Sequence, residues 1–194
     1  MNRKYSKKYE LYSPVPKATA EIFIVMILLC VLFAKLYINS GITWMFSCAI
    51  TFGTIAYHFV IRFLAPPVIC IFTRKKYDYK KWWFRQRGWE PKLFEKLKVR
   101  DWKDTSLTYD PREFSTKVHT LEEIVNNMCH AEVVHEFIFL MSFTSLLFAI
   151  PFGAFIVFLI TAIAAALFDL TFVIIQRYNR PRVVKLMERK QRRK

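Results

Sequence analysis

Residues 127–143, NMCHAEVVHEFIFLMSF, put two histidines and two glutamates directly before a run of hydrocarbon side chains. Ionisable groups at the threshold of a membrane helix are costly, so they are paired, snorkelling or functional. On a helix, Glu132, His135 and Glu136 lie within about 100° of one another, because residues three and four apart are neighbours. His130 falls nearly opposite Glu132, which makes Glu132 with His135 the unit able to do chemistry. A histidine titrates near neutrality and can take a proton from an alcohol attacking an acyl group, with a carboxylate to orient the ring. The competing reading is a capped, solvated helix end whose acids pair with nearby Lys and Arg. Di-iron bundles use E-x-x-H twice with two further glutamates. One copy stands here, so no metal site is expected.

Other polar residues point to the same depth. His58 and Arg62 are one turn apart near the end of an apolar run. Asp169 lies inside another, and the spacings of seven and four put Asp169, Gln176 and Arg180 on one helix face. An intramembrane Asp is either functional or paired between spans. The stretch QRYNRPR adds Arg177, Tyr178, Asn179, Arg180 and Arg182 around Pro181. Arginine forks suit phosphate or carboxylate, although a basic cluster at the end of a span also serves simply as a stop-transfer signal.

The elements that must position these groups are membrane helices. The chain is 54% hydrophobic and 17% aromatic, with mean hydropathy +0.20, and its apolar residues come in blocks rather than at core spacing. About 20 apolar residues cross a bilayer core. Four segments qualify: 22–38, 42–64, 133–150 and 152–176. Pro66-Pro67 is expected to end the second, leaving VICIF in the interface. Pro181 is expected to pin the chain where it leaves the fourth. Short turns within each pair imply antiparallel hairpins. The fold class is therefore an all-α integral membrane protein, two hairpins joined by an interfacial amphipathic segment. The organisation reads as a basic tail 1–21, a first hairpin 22–73, a segment 74–130, a second hairpin 131–177 and a basic tail 178–194.

The net charge of +15 asks for anionic partners, and the hydrocarbon content makes these membrane lipids rather than nucleic acid. Lys and Arg crowd both tails and the middle segment, while the turns near 40 and 151 carry no charge. Both termini are thus expected on the cytoplasmic side of a multi-pass plasma-membrane protein. The middle segment is too poor in apolar residues for a core of its own. Trp82, Trp83, Trp89, Trp102 and Lys103 mark it as interfacial. Pro91 suits the first turn of a short helix, on which Leu93, Phe94 and Leu97 share a face. TYDPREFS reads as a turn. Thr120 and Glu123 have the spacing of a capping box, opening a helix that runs into the third span. The cysteines show no metal spacing, and no disulfide framework is expected.

WFRQRGWEPKLFEKLKVRDWKD (83–104), the A-E-x-x-H of AEVVHE, and IIQRYNRPR together resemble the glycosyl-4,4'-diaponeurosporenoate acyltransferases, small bacterial membrane proteins. The resemblance runs from Trp83 to Leu186 and implies esterification of a sugar hydroxyl on a lipid-linked glycoside by a fatty acyl chain. It carries over to Glu132, His135, Gln176, Arg177, Tyr178, Asn179, Arg180, Pro181 and Arg182, and to Trp83, Trp89, Trp102 and Lys103. On this reading His135 is the base and Glu132 holds its ring. Arg177, Arg180 and Arg182 take the donor's phosphates or the oxyanion, and His58, Arg62 and Asp169 complete the substrate-binding set. The partners are membrane lipids, an acyl thioester (acyl-CoA or acyl carrier protein) and a glycosylated lipid in a bacterial cell membrane. No other cofactor is expected, and an oligomer is compatible with the sequence. Two alternatives are a non-catalytic lipid-binding partner and another membrane transferase, such as a methyltransferase.

Overall fold

The computed structural model describes residues 15–104 and 111–193, with the side chains at 103, 104 and 111 outside it. The basic residues Arg3 to Lys8, the Lys103 side chain and the 108–110 part of TYDPREFS lie outside the described residues. Among those described, the chain is helical and contains no strand. Helices α1 (Val15–Ser40), α2 (Thr43–Thr73), α3 (Glu90–Lys96), α4 (Leu121–Ser142), α5 (Ala149–Phe152) and α6 (Phe155–Gln191) follow in order. Four stretches are long and apolar enough to cross a membrane: α1, α2, Leu121–Phe152 and α6. With 37 residues, α6 is about 56 Å long, well beyond the roughly 30 Å of a bilayer's hydrocarbon.

Two compact units form, one from Met1–Pro16, Ile69–His135 and Thr171–Lys194 as far as these are described, the other from Lys17–Val68 and Glu136–Leu170. In the second unit, rings pair in opposite order along α1 and α2: Tyr37 with Phe46, Phe33 with Phe52, and Phe23 with Phe63. Its buried positions are mostly small: Ala49, Ala56, Ala65, Ala162, Ala165 and Ala166. Small residues let membrane helices approach closely where apolar burial supplies no driving force. Helix α1 buries none of its side chains.

Several local features follow from sequence chemistry. The α1 C-terminus turns at Gly41, whose φ of +67° is one that glycine adopts without steric cost, and its N–H bonds the Tyr37 carbonyl at 2.8 Å. At the start of α4, the Thr120 N–H donates to Glu123 Oε2 at 2.7 Å, and the Glu123 N–H donates to Thr120 Oγ1 at 3.2 Å. This is the reciprocal capping box that T-x-x-E encodes. Pro91 sits in the first turn of α3 with Phe94 buried, as expected, while Leu97 is largely exposed.

The prolines depart from expectation. Helix α2 runs through Pro66 and Pro67 to Thr73, and α6 runs through Pro181 to Gln191. Each proline deletes one backbone donor, but its fixed φ is itself helical, and proline is tolerated inside membrane helices. VICIF is therefore helix. The third apolar stretch also changes character midway: Phe143–Phe148 is 3-10 helix. There the hydroxyls of Ser142, Thr144 and Ser145 donate to the carbonyls of Ile138, Met141 and Ser142, at 2.9, 2.6 and 2.9 Å. Such side-chain bonds compete with the regular ladder.

Candidate functional site

The first unit is organised around one guanidinium. Arg177 Nε donates to Glu90 Oε1 at 2.9 Å, and Nη2 donates to the same oxygen at 2.6 Å and to the Arg85 carbonyl at 3.0 Å. Its Nη1 donates to Glu132 Oε1 at 2.6 Å and to the Trp83 carbonyl at 2.9 Å. An arginine has five N–H donors, and all five are engaged. One turn on, Arg180 donates to Glu132 Oε2 and to the Phe84 carbonyl, with its guanidinium 5.1 Å from the Phe84 ring centroid. Both Glu132 oxygens are thus held by arginines, and the Glu132 side chain is fully buried.

This junction binds three pieces of chain: α6 through its arginines, α4 through Glu132, and residues 83–90 through three carbonyls and Glu90. Two carboxylates balance two guanidiniums, which is what lets four charges share a buried site. Asn126, in the same unit, clamps the turn after α2. Its side chain donates to the Lys75 carbonyl at 2.7 Å and accepts the Tyr77 N–H at 3.1 Å. That turn carries Arg74 and Lys75 at φ of +50° and +51°, a strained conformation for non-glycines. The Tyr77 hydroxyl bridges Thr73 Oγ1 and His130 Nδ1 at 2.7 and 2.9 Å. Burial raises its pKa above the ordinary tyrosine value, so it keeps its proton.

His135 is half-buried and stacks on Phe172, centroids 4.6 Å apart and planes 13° from parallel. The spacing to Glu132 suggested that this carboxylate orients the ring; each of its oxygens accepts from an arginine, Arg177 or Arg180, and the ring stacks on Phe172. On the far side of α6, Ile175, Tyr178, Asn179 and Arg182 join Val99, Arg100 and Asp101 in lining a pocket of about 400 Å³. Arg182 lies over the Tyr178 ring at 3.9 Å and donates to its hydroxyl. Trp82, Trp83 and Trp89 are exposed, and Trp102 is partly covered.

The second unit holds His58, Arg62 and Asp169. Arg62 donates to the fully buried Asp169 carboxylate, to the Ala165 carbonyl at 3.3 Å and to the His58 carbonyl at 3.2 Å. Its guanidinium also lies over Phe168. The His58 ring is buried with no hydrogen-bond partner on either nitrogen, and Arg62 Nε likewise has none. On α6 the face expected from spacing is a buried one: Asp169, Gln176 and Arg180 are all covered.

Sequence reasoning missed Glu90 and Phe172. Glu90 stands in W-E-P as an ordinary first-turn acid, and nothing local signals its burial. Phe172 lies one turn before Gln176 on the polar face of α6, a signal that was available. Among the described residues, no three His, Cys, Asp or Glu side chains come together as metal ligands.

Among the described residues, these features define an α-helical protein with four apolar stretches long enough to span a membrane and a buried acid–arginine junction within the last helix. The family model of the glycosyl-4,4'-diaponeurosporenoate acyltransferases matches residues 80–189, more than half of the chain, including the whole junction. The protein belongs to that family, whose named activity is acyl transfer to a carotenoid glycoside. No curated protein and no solved structure matches the chain.

Proposed function

We propose that the protein is a membrane acyltransferase that moves a fatty acyl group from a cytoplasmic thioester to a sugar hydroxyl of a lipid-linked glycoside. The single observation behind the mechanism is the half-buried His135, stacked on Phe172 one turn beyond the Glu132 junction. Stacking fixes the plane of the ring and so the directions in which its two nitrogens point. His135 takes the proton of the sugar hydroxyl as its oxygen attacks the thioester carbonyl. The tetrahedral intermediate then expels the thiolate, which recovers the proton from the imidazolium. The products are an ester and a free thiol.

In this reading Glu132, Arg177 and Arg180 set the position of α4 against α6 and so the place of His135. Gln176 and Asn179 lie beside them as candidate contacts to substrate. His58, Arg62 and Asp169 serve the lipid acceptor within the hydrocarbon. The two helix pairs are membrane hairpins, and both termini and residues 74–130 face the cytoplasm of a bacterial cell, where the thioester is made. The exposed tryptophans and the basic residues around them hold the middle segment on anionic lipid. One observation favours a non-catalytic lipid-binding role instead: Arg177 commits every donor to the protein itself.

The test is a lipid profile by mass spectrometry in the native host, comparing intact protein, His135→Ala at matched abundance, and a deletion. A positioned base is worth roughly 10² to 10⁴ in rate. An acylated glycolipid should therefore accompany only the intact protein. Identical profiles would remove the acyltransferase reading and favour the lipid-binding one.

A further inference from the structure

Helix α6 shows two chemically different faces below the apolar run. At 100° per residue, Arg177 and Arg180 point to one side, and Ile175, Tyr178, Asn179 and Arg182 to the other. The first face is closed on Glu90 and Glu132. The second is open and forms the wall of the roughly 400 Å³ pocket whose opposite side is Val99, Arg100 and Asp101. Its two arginines differ from their neighbours in α6: among the described residues, neither Arg100 nor Arg182 is ion-paired with a carboxylate, and both are exposed. Arg182 is nevertheless pre-placed, stacked on the Tyr178 ring and bonded to its hydroxyl, which leaves most of its donors directed elsewhere.

We propose that this pocket binds the 4'-phosphopantetheine arm of the acyl donor. The inference rests on the acyl-transfer reading and moves the donor's phosphate from Arg177 and Arg180 to Arg100 and Arg182. The lining matches that arm group by group. Two guanidiniums from opposite walls suit one phosphate, since arginine recognises it with paired donors. Asp101 would repel an anion but accepts hydrogen bonds, and the arm carries a hydroxyl and amide N–H groups beyond its phosphate. The Asn179 amide can meet the arm's carbonyls. Val99 and Ile175 give the apolar wall that its dimethyl carbon needs. A pocket of this volume lies at the lower end of ordinary small-molecule sites, enough for the arm though not for a whole nucleotide with it.

The arm reaches a cell's acyltransferases either on coenzyme A or on an acyl carrier protein, and the experiment separates the two. Full-length protein in lipid nanodiscs is titrated with coenzyme A, with holo-acyl carrier protein, and with free 4'-phosphopantetheine against pantetheine. Arg100→Gln, Arg182→Gln and a surface control, Lys190→Gln, are compared with the intact chain. Transfer from both thioesters is measured in parallel. Loss of one charged hydrogen-bonding partner at an exposed site should weaken phosphopantetheine binding about tenfold. It should raise KM for the donor by a similar factor and leave kcat and the acceptor KM unchanged, with pantetheine binding insensitive to either substitution. Binding of coenzyme A names the soluble thioester as the source; binding of the carrier protein alone names the carrier. If transfer proceeds and both variants keep the intact protein's donor KM and binding, the pocket assignment is overturned while acyl transfer stands. If no thioester is consumed but phosphopantetheine binds through Arg100 and Arg182, the pocket stands and the acyl-transfer reading falls. If nothing binds and no thioester is consumed, both fall.

Discussion

Arg177 gives the clearest case of a residue whose type matters more than its charge. Lysine offers three donors from one point and cannot bridge two carboxylates and two carbonyls at once. Arg177→Lys should therefore strand part of Glu90 or Glu132 in a buried site, and breaking a buried pair costs about 3–5 kcal/mol. The expected outcome is a marked fall in the unfolding midpoint of the detergent-solubilised protein, with less protein recovered from membranes. The Arg62–Asp169 pair poses the complementary question. Removing one partner leaves a charge in a dry site, whereas removing both replaces the pair by hydrocarbon, which is often neutral. Arg62→Leu and Asp169→Leu should each destabilise strongly, and the double variant should recover most of that loss. A double variant as unstable as the sum of the singles would show that the two charges do not stabilise each other. Sequence spacing identified Glu132, Arg180, Asp169 and Arg62 as residues that matter. It could not show which carboxylate meets which guanidinium, because those partners lie between 45 and 107 residues apart.

Among the elements, local chemistry was read correctly where the signal is itself local. The T-x-x-E at the head of α4 makes both of its reciprocal bonds. Thr120→Ala should cost about 1 kcal/mol, read as a lowered unfolding midpoint, with Thr120→Ser retaining most of it. Proline was read less well, since its effect depends on surroundings that sequence does not display. In water, Pro66-Pro67 would end a helix; in α2 the chain continues for six further residues. The same holds for α6, where Pro181 interrupts one bond in a 37-residue helix and the hydrogen bonds on either side carry it through. The 3-10 stretch after Ser142 was also invisible to an apolarity count, because hydroxyls that bend a membrane helix score as nearly neutral in hydropathy.

For the whole molecule, the four apolar helices and the basic middle segment were legible from composition and charge asymmetry alone, since both signals extend over tens of residues. The proposed topology puts Ser40 and Lys190 on opposite sides of the membrane. In a background lacking the four native cysteines, a membrane-impermeant maleimide added to intact cells should label Ser40→Cys and spare Lys190→Cys until the cells are opened. Equal labelling of both before lysis would overturn the orientation read from Lys and Arg placement.

The arginines of α6 grip residues 83 and 85 by their carbonyl oxygens, and residue 84 by its carbonyl and its ring. Every amino acid supplies the same carbonyl, so these hydrogen bonds do not depend on which side chains stand at positions 83 and 85. Mutation can therefore revise the exposed side chains at those two positions step by step, while the carbonyl bonds to α6 are inherited unchanged. A lineage has room to change what this surface meets without first passing through an unfolded intermediate.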